Sequence, residues 1–173
     1  YATQLVARVG GLAELGVLSE RLFDSVWLVR QAAIEVLGPL VGAPEFQGVT
    51  SRLLHELSSA EGTADTLRWA AEAVAAFRLI APLDALVELL KHRDAHVQLA
   101  AHQALREVTR HDHGRSQRAW RRWLKRNLER ERIEWLIDAL VLDERELAEL
   151  AAQELHRLTG QRIPLDVNGP RKG

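Results

Sequence analysis

No cysteine occurs in the sequence, which excludes disulfides, thiolate catalysis and cysteine-ligated zinc or iron–sulfur centres. Methionine is also absent and the chain starts at Tyr1, so a piece of a longer polypeptide is expected. No apolar run approaches the roughly 18 residues of a membrane span, and the first residues lack the basic start and apolar core of a signal peptide. A soluble chain is therefore expected, with its compartment left open. Neither charge sign dominates: 23 lysines and arginines face 24 aspartates and glutamates. That balance argues against a surface that binds nucleic acid throughout, although a local basic patch can hide inside it. There is no glycine-rich phosphate loop, nucleophile elbow, triad or His-Glu-x-x-His stretch, so no catalytic residue, metal or cofactor is expected.

What is present is helical periodicity. Apolar residues recur at spacings of three and four and no stretch alternates, so the expected fold class is all-α. Helices are expected at about 2–18, 25–38, 45–58, 64–79, 82–90, 95–110, 117–129, 131–141 and 144–159. Gly10-Gly11 should loosen the first by about 1 kcal/mol per glycine relative to alanine. Gly38-Pro39 stops the second, Gly42-Ala43-Pro44 makes a turn, Pro82 opens the fifth helix and Asp94 is placed to cap the sixth.

Four stretches repeat one another: Val29-Arg30-Gln31-Ala32-Ala33, Leu67-Arg68-Trp69-Ala70-Ala71, Val97-Gln98-Leu99-Ala100-Ala101 and Leu147-Ala148-Glu149-Leu150-Ala151. Each sits in the second helix of a pair, which marks an array of helical hairpins. The anchors are about 38, 30 and 50 residues apart, and the last interval is longer by the helix 117–129. The inward set is Val29, Leu67, Val97 and Leu147 with Ala33, Ala71, Ala101 and Ala151. Two further columns follow, Gln31, Trp69, Leu99 and Glu149, then Ile34, Glu72, His102 and Ala152.

The segment Pro82–Leu90, the turn at Asp94 and Val97–Leu105 together resemble a HEAT repeat of the short bacterial type, as found in phycobilin-lyase-like proteins. Val29-Arg30 and Leu67-Arg68 match the family's valine–arginine pair, while Gln98 and Ala148 depart from it. The resemblance implies a right-handed α-solenoid of about four hairpins, 2–40, 45–79, 82–110 and 131–159, with one extra inserted helix. Residues 1–160 would form a single repeat domain and 161–173 a loose tail. Leu105–Thr109 followed by Trp120 and Trp123 resembles the threonine and paired-tryptophan segment found after such repeats. Leu155–Gly160 starts a second copy without its tryptophan helix, so the chain is expected to stop inside a repeat. The family's usual work implies a non-enzymatic scaffold that presents a curved helical surface to a protein partner; oligomeric state stays open.

If the columns face solvent, Trp69 beside Leu99, framed by Glu72, His102, Gln103 and Arg106, has the make-up of a protein-binding hot spot. The other reading packs Trp69 between helices as core. Nine basic residues lie between Arg110 and Arg132, against Asp112, Glu129 and Glu131. At about 100° per residue, Arg118, Arg121, Arg122, Lys125 and Arg126 share one helix side, and Trp120, Trp123, Leu124 and Leu128 the other. As an alternative function this basic helix contacts anions or nucleic acid; otherwise its tryptophans anchor it and its arginines form a solvated back, some pairing with Glu129, Glu131 or Glu134. His111-Asp112-His113 is expected to be a solvated loop. HEAT-like alkylpurine DNA glycosylases use tryptophans and an aspartate in a basic cleft; Trp135 and Asp138, with Arg132 nearby, lie here on the otherwise apolar segment Ile133–Leu142 and do not match that motif, so glycosylase activity is the remote alternative and Asp138 is expected to solvate its helix surface.

Overall fold

A computed structural model describes residues 12–59 and 62–161. Among them the fold is all-helical with no strand. The helices are α1 (Leu12–Arg21), α2 (Trp27–Leu37), α3 (Gln47–Ser58), α4 (Ala64–Phe77), α5 (Leu83–Leu89), α6 (Ala95–Thr109), α7 (Gln117–Asn127), α8 (Arg132–Ala139) and α9 (Arg145–Thr159). Two short 3-10 turns, Gly38–Leu40 and Pro44–Phe46, join α2 to α3. Each expected helix has its counterpart, usually shorter by one to three residues per end. The Gly10-Gly11 expectation and the tail from residue 162 lie outside the described residues.

Local chemistry sets these boundaries. The side chain of Asp94 accepts from the backbone of His96 at 2.8 Å and Val97 at 3.3 Å, satisfying two otherwise free donors of α6. Thr63 accepts one such donor of α4, the Thr66 N–H, and Ser116 one of α7, the Ala119 N–H. Pro82 stands immediately before α5, and Gly42 turns the chain at φ 90°, where a side chain would be strained. The helices that carry Thr109 and Thr159 end alike. Each hydroxyl donates to the carbonyl four residues back, Leu105 at 2.7 Å and Leu155 at 2.8 Å. Each is followed by a left-handed residue, Arg110 and Gly160, that closes the helix.

Packing follows the pairs. The helices α1 and α2, α3 and α4, α5 and α6, and α8 and α9 contact one another within a pair. Between pairs, α1 touches α3 and α3 touches α5, while α2 touches α4 and α4 touches α6. The first helices thus form one row and the second helices another, up to α6. Helix α7 then packs on α5, extending the first row by a helix that has no hairpin partner.

The inward register is buried: Leu67, Val97, Leu147, Ala33, Ala71, Ala101 and Ala151 are all at most 3 % exposed, and Val29 is half-buried. Alanines at these points let α4 and α6 approach closely. One apolar core runs from Leu15 to Trp135, and Leu136, Ala139, Ala151 and Leu155 form a small second one between α8 and α9.

Candidate functional site

A groove of about 310 Å³ lies among α4, α6 and α9. Its floor is Ala71, Ala75, Ala100 and Ala104, and Leu147 and Leu150 supply an apolar wall. Glu72, Gln103, Arg106, Glu107 and Glu146 complete the lining. The groove exists because α9 does not follow α6 as α6 follows α4. Helix α7 intervenes in the sequence, and α6 and α9 are not among the helices that pack broadly together.

Arg106 is held from two sides. Its Nε lies 2.7 Å from Asp112, and its Nη2 lies 3.1 Å from Glu144 and 3.7 Å from Glu146 at the start of α9. His102 Nε2 stands 2.8 Å from the other oxygen of Asp112. Burial by itself would raise the Asp112 carboxyl, but His102, the Gly114 N–H and Arg106 outweigh it and hold it below the usual carboxylate range. The loop after α6 is thereby fastened to the face that carries the groove.

Of the six residues expected on the concave columns, the groove brings together Glu72, Gln103 and Arg106. Leu99 is 40 % exposed but does not line it, and His102 is turned to Asp112. Trp69 is half-buried, with the guanidinium of Arg30 stacked 4.8 Å from its ring centroid. It is therefore neither full core nor a free aromatic face. The columns are not uniformly open either, since Ala152 is 8 % exposed.

The basic helix keeps its two sides, with one correction. Trp120, Trp123 and Leu124 are buried, but Leu128 is 42 % exposed because α7 ends at Asn127 and the stripe no longer continues. The tryptophans anchor the helix: Trp120 Nε1 donates to the Gly114 carbonyl at 2.8 Å, and Trp123 meets Trp135 edge-on at 5.0 Å. On the opposite side Arg121 pairs with Glu88 at 2.6 Å. Arg118, Arg122, Lys125 and Arg126 are exposed, and among the described residues none has an ion-pair partner.

Contrary to the solvated loop expected, His111 is buried and His113 is half-buried. His111 is 5 % exposed and rests 4.9 Å from Trp123, and His113 meets Trp120 edge-on at 4.8 Å. Burial pushes both imidazoles below their ordinary pKa. Aromatic side chains from α7 need a covering surface, and the loop supplies it. Asp138 likewise does more than solvate α8: it accepts from Arg130 Nη1 at 2.6 Å. Trp135 is 1 % exposed and donates to the Asn127 carbonyl at 2.8 Å, so it presents no face to a flipped base.

One cluster has no sequence signal. Arg110, Arg132 and Arg78 converge on the Glu154 carboxylate at 3.2, 2.9 and 3.4 Å. Arginine is seldom buried, and these four residues are brought together from four helices or their ends. Among the described residues no group of three histidine, aspartate or glutamate side chains is placed to hold a metal, and no helix is long and apolar enough to cross a membrane. Compared with known proteins, the chain matches no family model, no curated protein and no solved structure.

Proposed function

We propose that the chain is a non-enzymatic binding module, a right-handed HEAT-like α-solenoid with one inserted helix, whose second-helix face receives a segment of a protein partner. The two rows of paired helices support the architecture. The role is carried by one observation, an alanine-floored groove with a carboxylate-rich rim.

Alanines keep the floor shallow, so the backbone of a docked segment can approach, and Leu147 and Leu150 give it apolar contact. Glu72 lies 3.6 Å from Arg30 and Glu107 lies 2.8 Å from Arg110, whereas Glu146, 77 % exposed at its side chain, shares the single Arg106 with Asp112 and Glu144. The surplus negative charge of the groove therefore lies at its Glu144–Glu146 end. The fitting partner is a segment with small apolar side chains flanked by lysine or arginine.

The test is a titration of the full chain with a labelled lysine-rich amphipathic peptide and with its glutamate-rich counterpart. Saturable binding of the basic peptide alone is expected, weakened roughly tenfold by Glu146→Lys and by Ala100→Trp. Glu146 is 77 % exposed at its side chain, so its reversal leaves the fold intact. Equal binding of both peptides, or indifference to both substitutions, rejects the reading.

A further inference from the structure

A second concavity of about 460 Å³ lies among α7, the loop before it and α8, independent of the groove. We propose that it binds a phosphate monoester through Arg122 and Arg126. The two arginines are one helical turn apart, and both line the concavity. Two like charges in this spacing repel one another, and neither has a carboxylate partner among the described residues. Arg121, on the same helix, does find one in Glu88. The field at the C-terminal end of α7 favours Arg126 in its last turn but does not reach Arg122.

The remaining charges of the concavity cancel. Arg130 lies 2.6 Å from Asp138, so one guanidinium is matched by the one carboxylate present. Two unmatched positive charges are left, which equals the charge of a phosphate monoester near neutral pH. Guanidinium groups take phosphate oxygens in pairs, and arginine is the side chain suited to that recognition. Trp123 and His113, with ring centroids 6.1 Å apart, wall the concavity and keep water from one side of such an ion pair.

Shape favours a monoester over a nucleic-acid strand. A strand would run along the whole row Arg118, Arg122, Lys125 and Arg126, but Arg118 and Lys125 do not line the concavity. Asp138 would oppose a continuing anionic chain at its far wall.

Arginine Nε–H resonances of the full chain report the outcome on titration with inorganic phosphate, a phosphoserine peptide, a nucleoside monophosphate and a short oligonucleotide. Saturable shifts at Arg122 and Arg126 with inorganic phosphate are expected. Affinity should fall roughly tenfold in Arg122→Gln and in Arg126→Gln, and stay within about twofold in Arg118→Gln and Lys125→Gln. Tighter binding of the phosphopeptide would identify a protein-borne phosphate, and of the mononucleotide a free one; either supports the site. It is overturned by unsaturated shifts up to roughly 20 mM phosphate, or by tightest binding of the oligonucleotide with equal losses in all four variants.

Discussion

The Nε–H of Arg110 donates to Glu154 at 3.2 Å across 44 residues of sequence. The two side chains are 1 % and 8 % exposed, and Glu107 adds a second carboxylate to Arg110 at 2.8 Å. This cluster fastens the ends of α4 and α6 to α8 and α9, where the main apolar core gives way to the small second one. Removing one member of a buried ion cluster leaves uncompensated charge and costs about 3–5 kcal/mol. Glu154→Ala should lose that much in urea unfolding. Arg78→Ala, whose side chain is 33 % exposed, should lose under about 1 kcal/mol. Equal and small losses in both would mean that apolar packing alone holds α9.

Trp120 should act as the anchor of α7. It is fully buried and hydrogen-bonded to the Gly114 carbonyl, and Gln117 adds bonds from its side chain to the carbonyls of Val87 and Glu88. Trp120→Ala should cost about 3–5 kcal/mol. Because α7 packs mainly on α5, the loss is expected locally. Hydrogen exchange should show α7 amides losing protection while those of α4 and α6 keep theirs, and uniform acceleration would place α7 inside the global cooperative unit.

The parts legible in the sequence were those whose cause is local. Asp94 and Pro82 mark helix starts through their own backbone chemistry, and the alanine register predicts burial because small side chains in a row mark the face on which a helix packs closely. The groove is different. It depends on how far α9 stands from α6, with α7 and α8 between them in the sequence, and no local pattern states that distance. His111 and His113 sit in a loop, where solvation is the ordinary outcome, and only the tryptophans of α7 in three dimensions reverse it. Arg110 and Glu154 carried no signal because each looks like a solvated helix residue until its partner is known.

Acid should weaken the fold first through the imidazoles of His111 and His113. Burial lowers the folded pKa of His111, partly offset by its bond to the Thr109 carbonyl, and lowers that of His113, with His111 adding to the effect. The unfolded chain therefore takes up protons first. The contribution of both rings is complete above their unfolded pKa of about 6.5 and is lost as pH falls through the lower folded values. Asp112, held below the usual carboxylate range by His102, the Gly114 N–H and Arg106, loses its contribution only in more acid solution. Urea midpoints should fall from about pH 7.5 to about pH 5. His113→Phe, which keeps a ring against Trp120, should flatten part of that slope, and an unchanged slope would remove His113 as its source.

Arg30 governs how much of Trp69 a partner can reach. Its guanidinium stacks 4.8 Å from the ring, donates to the Asp24 carbonyl at 2.8 Å and lies 3.6 Å from Glu72. Three contacts on a side chain only 8 % exposed hold the guanidinium over one face of the tryptophan. A double-mutant cycle with Arg30→Leu and Trp69→Leu should give a coupling of about 0.5–2 kcal/mol in urea unfolding. Arg30→Lys, which keeps charge but loses the planar stack, should recover less than half of it. A coupling near zero would release Trp69 from Arg30 and return it, with Leu99, to the surface open to a partner.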